Sequence, residues 1–198
     1  MRLFTAVNFS DETKHQILEV REQLRSQALR GNFTKSENLH LTLVFLGETP
    51  EEKIAGILRI IEDIKISPFE ITFNSTGCFK RGGKELWWIG AEPPTETRQD
   101  RGSFPGNKSP GLAALKDIHS KLVSRFQEAG LSFDTKPFKA HITLGREIVH
   151  SQPIILDRPE ITIRVERVSL MKSEQTGRGV VYTELGMRNE ERPSLYFS

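Results

Sequence analysis

The chain predicts an α+β fold of two pseudo-symmetric lobes, with antiparallel sheets lining a central cleft and helices outside. Three observations carry this. First, two segments nearly repeat each other, His40-Leu41-Thr42-Leu43 and His141-Ile142-Thr143-Leu144. Second, each follows a helical stretch and an irregular link. Third, each precedes a Glu-Ile-Thr triplet, Glu70-Ile71-Thr72 and Glu160-Ile161-Thr162. Order and content match, apart from an extra helix at 51–65 in the first half. Two copies are too few for a solenoid, so the repeat reads as a duplication whose tetrads are related by a pseudo-two-fold axis. The 198 residues suffice for one such bilobal domain, 1–198.

The elements follow in order. Leu3 to Phe9 is the first strand. Ser10-Asp11-Glu12 caps a helix, because a small polar residue followed by acids suits a helix N-terminus. Ile17, Leu18, Leu24 and Ala28 fall at helical spacing, and Gly31-Asn32 is the expected stop. His40–Leu46 is the next strand, closed by Gly47. Thr49-Pro50-Glu51-Glu52 opens a helix with a threonine cap and a first-turn proline, and Ile54, Ile57, Leu58, Ile61 and Ile64 form its apolar stripe. Ser67-Pro68 ends it. Phe69–Phe73 and Leu86–Gly90 read as paired strands, with the basic turn Lys80–Lys84 between them. Glu92 to Gly111, rich in proline, glycine and serine, reads as a flexible loop. Leu112 to Ala129 is helical, stopped by Gly130. Ile161–Met171 and Val180–Gly186 are strands flanking a turn with Gly177 and Gly179.

Residues i and i+2 of a strand share a face. Each tetrad therefore presents an imidazole and a hydroxyl side by side, with Leu or Ile buried behind. A lone histidine on a strand is usually structural. Two such tetrads, at the same place in a repeated unit, point to function. Facing each other, they give a cleft in which one histidine donates a proton and the other accepts one near neutral pH, an arrangement suited to phosphate-ester chemistry. A metal site is disfavoured, since neither histidine has cysteine or carboxylate neighbours at ligand spacing. No Gly-x-Ser-x-Gly elbow or glycine-rich phosphate loop is present. His15, His119 and His150 read as surface residues. One of Trp87 and Trp88 is expected in the core.

Composition excludes other classes. With 28 basic and 26 acidic residues the net charge is +2, too weak for bulk nucleic-acid binding but no obstacle to a phosphorylated ligand. The single cysteine, Cys78, excludes an internal disulfide and fits a buried, inert thiol in a reducing compartment. The N-terminus turns polar too soon for a signal peptide, and no apolar run reaches spanning length. These features predict a cytoplasmic protein with no membrane association.

The two tetrads resemble the signature of the two-histidine (2H) phosphoesterase superfamily. The flanks resemble its bacterial and archaeal RNA 2′,3′-cyclic phosphodiesterases, formerly called 2′-5′ RNA ligases. The residues that carry the resemblance are Met1–Val7, Glu37–Gly47, Phe138 with His141–Arg146, and Leu170–Ser173 with Tyr182–Leu185. Two positions depart from that pattern: Ala140 stands where proline is usual, and Gly145 where alanine is.

The resemblance implies a metal-independent hydrolase with no cofactor, acting as a monomer on RNA ends or nucleotides bearing a 2′,3′-cyclic phosphate. His141 would take a proton from water, and His40 would protonate the departing 3′ oxygen, leaving a 2′-phosphomonoester. Thr42, Thr143 and Arg146 would bind the phosphate oxygens. With both imidazoles near the ordinary 6.5, the rate optimum falls around pH 6–7. Independently of the resemblance, the proline- and glycine-rich, polar composition of 92–111 predicts a segment mobile in the free protein that closes over a bound RNA end. Alternatives are opening of ADP-ribose 1″,2″-cyclic phosphate, cleavage of 2′-5′ oligonucleotides, or a non-catalytic RNA-end-binding protein.

Overall fold

The two tetrads meet at the middle of one sheet. The computed structural model describes residues 1–82, 84–91, 109–177 and 179–186. Seven strands form an antiparallel path: β10 (Gly179–Leu185), β9 (Ser169–Thr176), β1 (Arg2–Asn8), β3 (His40–Glu48), β7 (His141–Val149), β6 (Lys84–Gly90) and β5 (Ser75–Arg81). A short strand β2 (Arg30–Phe33) adds to β7, and β4 (Phe69–Phe73) pairs with β8 (Ile161–Val165) in a separate ribbon. Helices α1 (Asp11–Gln27), α2 (Ile54–Asp63) and α3 (Pro110–Glu128) complete the described elements.

The pseudo-symmetry is explicit in the register. The central strands β3 and β7 pair at one position, Leu41 opposite Ile142, the equivalent residues of the two tetrads. From there β3 runs along β1 and β7 along β6. Val7, Leu41, Ile142 and Ile89 form a continuous buried row across all four strands. This row faces Ile17 and Leu24 of α1, Leu115, Leu122 and Phe126 of α3, and Ile71, Phe73 and Ile163 of the ribbon, all in one core. The two Glu-Ile-Thr triplets also meet, since Thr72 lies opposite Thr162 in the ribbon with their hydroxyls 2.8 Å apart. The lobes thus share a single sheet that divides at its centre.

Capping explains the helix limits. Ser10 Oγ accepts from the Thr13 amide at the start of α1. At the end of α3, Leu131 N–H donates to Phe126 O and Gly130 N–H to Gln127 O, with Gly130 at φ 64°. That double bond pattern needs a left-handed residue, which glycine supplies without strain. At the start of α3, a Cβ on Gly111 would lie 1.9 Å from Glu70 O, so the helix rests directly on the β4 backbone.

Several sequence expectations need correction. Phe69–Phe73 pairs with Ile161–Val165, not with Leu86–Gly90, which instead joins β5 and β7. Ile161–Met171 is two strands in different sheets. α1 ends at Gln27, because residues 30–33 gain more as an added strand on β7. Thr49 Oγ1 bonds Gly47 O and caps no helix; a 3₁₀ turn at Glu51–Lys53 precedes α2. Of the expected loop, residues 92–108 lie outside the described residues, and Pro110-Gly111 belongs to α3.

Candidate active site

The face of the sheet opposite the core row carries the tetrad side chains. His40 lies opposite Asn8 and His141 opposite Gly90; Thr42 lies opposite Ala6 and Thr143 opposite Trp88. Immediately after each threonine both strands bulge. Ala6 faces Thr42 while Thr5 faces Val44, leaving Leu43 extra; Trp88 faces Thr143 while Trp87 faces Gly145, leaving Leu144 extra. A bulge inserts one residue and reverses the alternation beyond it. Leu43 and Val44 are therefore both buried, as are Leu144 and Gly145. Phe45 and Arg146 return to the cleft face, where plain alternation would have turned them away.

Both imidazoles are held in the same way. Nδ1 of His40 donates to Asn38 O at 2.8 Å, and Nδ1 of His141 donates to Lys139 O at 2.8 Å. Each partner is the carbonyl two residues upstream. Fixing the proton on Nδ1 leaves Nε2 as the lone-pair nitrogen of the neutral ring. In His40 that nitrogen receives the Thr42 hydroxyl at 3.0 Å. Asn38 is itself tied down, its Nδ2 donating to Val180 O in β10 at 2.8 Å.

Both rings titrate below the ordinary imidazole value. The His40 pKa falls to about 4, chiefly through burial, with the Asn38 carbonyl opposing and the charges of Arg146 and His141 assisting. Burial also lowers His141, again opposed by a carbonyl (Lys139) and assisted by Arg146 and the Lys139 ammonium. The expectation of two unshifted histidines is therefore corrected: in the free protein at pH 7 both are neutral.

The histidines line adjoining cavities. His40, Thr42, Phe45, Arg146, Arg2 and Tyr182 border a pocket of about 240 Å³. His141, Thr42, Phe45 and Phe79 border a larger one of about 810 Å³. Thr42 and Phe45 form the shared wall. Aromatic rings flank each imidazole: Phe4 and Tyr182 lie 4.8 and 4.9 Å from His40 between centroids, and Phe79 lies 5.4 Å from His141. Arg146 is exposed beside the small pocket and has no ion pair among the described residues. Thr143 shares the cleft face and is half-buried, but borders neither cavity.

Other residues differ from their sequence reading. His119 is half-buried in the wall of the large cavity, stacked on Phe138 at 4.4 Å. His150 bonds Glu85 at 3.0 Å rather than lying free on the surface. Both tryptophans are packed: Trp87 borders the core and donates to Glu85, and Trp88 is buried over Gly77 and Gly90. Cys78 is half-buried, with its thiol pKa raised chiefly by burial, so it is not a reactive thiolate. Lys80 and Lys84 pair with Glu85 and Glu147 at the hairpin. Among the described residues, no three His, Cys, Asp or Glu side chains cluster as metal ligands. No helix there is long and apolar enough to cross a membrane.

A model of the "LigT like Phosphoesterase" family matches residues 7–87. A Thermotoga maritima protein named RNA 2′,3′-cyclic phosphodiesterase is 31% identical over 193 residues, covering 93% of both chains. The chain belongs to the LigT-like phosphoesterase family. An Archaeoglobus fulgidus protein of the same name is 30% identical, covering 79% of this chain and 78% of its own. Among solved structures, TT0787 of Thermus thermophilus superposes with a TM-score of 0.75 at 28% identity, over 94% of this chain and 96% of its own. Escherichia coli LigT complexed with 3′-AMP gives a TM-score of 0.70 at 27% identity, over 93% and 95%. The α+β architecture with antiparallel sheets is thus that of the 2H phosphoesterases.

Proposed function

We propose that this LigT-like phosphoesterase hydrolyses 2′,3′-cyclic phosphate ends of RNA or nucleotides to 2′-phosphomonoesters, acting in the cytoplasm as one bilobal monomer. Relatives at 25–31% identity over most of the chain carry the name of that activity. One observation carries the reading to the residues: two imidazoles at equivalent strand positions, each with Nδ1 fixed by a carbonyl and Nε2 left for chemistry. Simple phosphate binding does not need a matched acid and base.

In the reaction, a water oxygen attacks phosphorus and the P–O3′ bond breaks. His141 Nε2 takes the water proton. His40, protonated at Nε2, gives its proton to O3′. The substrate phosphodiester carries one negative charge, which opposes the burial that lowers both pKa values and brings the needed proton into the cleft. Thr42 then donates its hydroxyl to a non-bridging oxygen, Thr143 supports the other, and Arg146 adds a charge-assisted contact. Each proton transfer typically supplies roughly 10²–10⁴-fold. Strain in the five-membered ring lowers the remaining barrier.

The test is hydrolysis of an oligonucleotide ending in a 2′,3′-cyclic phosphate, with the product isomer identified. The expected product is the 2′-phosphate. A 3′-phosphate would reverse which oxygen leaves, and stoichiometric binding without turnover would refute the activity.

A further inference from the structure

We infer that the face of α3 beside His141 is a subsite for the RNA chain upstream of the cyclic phosphate, so that the protein prefers a polynucleotide end to a free nucleotide. The inference rests on the activity proposed above. The small pocket at His40, about 240 Å³, is smaller than the roughly 300–1,000 Å³ of most small-molecule sites. The cavity at His141 is more than three times larger, about 810 Å³. It adjoins a further groove of about 530 Å³, the two sharing His119, Asp134 and Lys136 in their lining.

Lys116 and His119 of α3 border the first cavity; His119, Val123 and Gln127 border the second. Their spacing of three and four residues places them on one helix face. From Lys116 to Gln127 that face runs about 16 Å, several times the ~3.4 Å between stacked nucleotides. The groove thus leads away from the reacting phosphate for more than one nucleotide.

Its chemistry matches single-stranded RNA. His119 and Phe138 are stacked with an 18° interplanar angle, a ready π surface at the junction of the two cavities. Burial lowers the His119 pKa, so at pH 7 the ring is a neutral stacking partner. Lys116 is exposed beside it, without an ion pair among the described residues, and is placed for a backbone phosphate. Lys136 is neutralised by Asp134 at 2.7 Å and contributes no free charge. Aromatic platforms with interspersed cations are how proteins hold single strands without reading sequence.

The experiment compares kcat/KM for a 2′,3′-cyclic mononucleotide and for a short oligonucleotide with the same terminal residue, in wild type, Lys116→Ala and His119→Ala. The ratio of the two values is independent of how much enzyme is folded. It should exceed 10 in wild type and fall about 10-fold in His119→Ala. In Lys116→Ala, the slope of log(kcat/KM) against log salt for the oligonucleotide should flatten by about 0.7. Equal kcat/KM for the two substrates, or a ratio untouched by both variants, overturns the subsite while leaving the proposed activity standing. Turnover of neither substrate overturns the activity and the subsite with it.

Discussion

With its pKa near 4, His40 carries no proton at pH 7 in the free protein, yet the proposed chemistry needs one proton shared by the pair. The singly protonated state is most populated between the two apparent values. Both lie below 6.5, so the bell-shaped profile of kcat/KM, which reports the free enzyme, should peak below pH 6.5. Bound substrate adds negative charge beside the rings and raises both, so the optimum of kcat should lie at higher pH than that of kcat/KM. Coincident optima at or above pH 7 would contradict this. His40→Ala and His141→Ala should each lose roughly 10²–10⁴-fold in kcat. The double variant should lose far less than their product, because the pair acts as a unit. The reacting residues were legible because i and i+2 on a strand share a face. Arg146 was legible only by resemblance, since its place depends on a bulge that alternation does not reveal. His119 looked like a surface histidine because helical spacing does not say what the half-exposed flank of a helix abuts.

At the scale of elements, the cleft depends on how closely β5, β6 and β7 approach. The Trp88 ring lies over two glycines: a Cβ on Gly77 would come within 2.4 Å of it, and one on Gly90 within 2.6 Å. Trp88 stands opposite Thr143 on the cleft face. Gly77→Ala should therefore displace the indole, cost about 1–3 kcal/mol in chemical denaturation and lower activity; Gly56→Ala, whose Cβ meets nothing within 4 Å, is the control. Equal stability of the two variants would contradict the packing. Strand identity was largely readable from apolar runs and turn glycines, while partners were not. Phe69–Phe73 was paired with its sequence neighbour, whereas its true partner lies about 90 residues on, held by Thr72 against Thr162. Nothing local marks that choice. Residues 30–33 likewise become a strand only because the edge of β7 is there to receive them.

Across the whole molecule, the buried neutral histidines couple folding to pH. The unfolded chain binds a proton at His40 near 6.5, and the folded protein only near 4. The unfolded state therefore holds more protons between those values, and stability falls as pH drops from 6.5 towards 4. At 1.36 kcal/mol per pH unit, His40 should account for a loss of about 2–3 kcal/mol. Denaturation midpoints of wild type and His40→Asn measured from pH 7 to 4 should converge as pH falls; parallel curves would show that burial does not hold the ring neutral. Activity should also survive exhaustive chelation, given the absence of a ligand cluster among the described residues. A loss in EDTA restored by one divalent ion would contradict that. The duplication was legible as a whole, in the order of its units. That the halves share one sheet, joined at Leu41 and Ile142, required the structure.

The central claim is that His141 is the base and His40 the acid at one phosphorus atom. Rates with a phosphodiester whose leaving group is a nitrophenolate test it most directly, because such a group departs without protonation. His40→Ala should regain much of its lost activity on this substrate, while His141→Ala should not. Equal rescue of both variants, or rescue of His141→Ala alone, would contradict it.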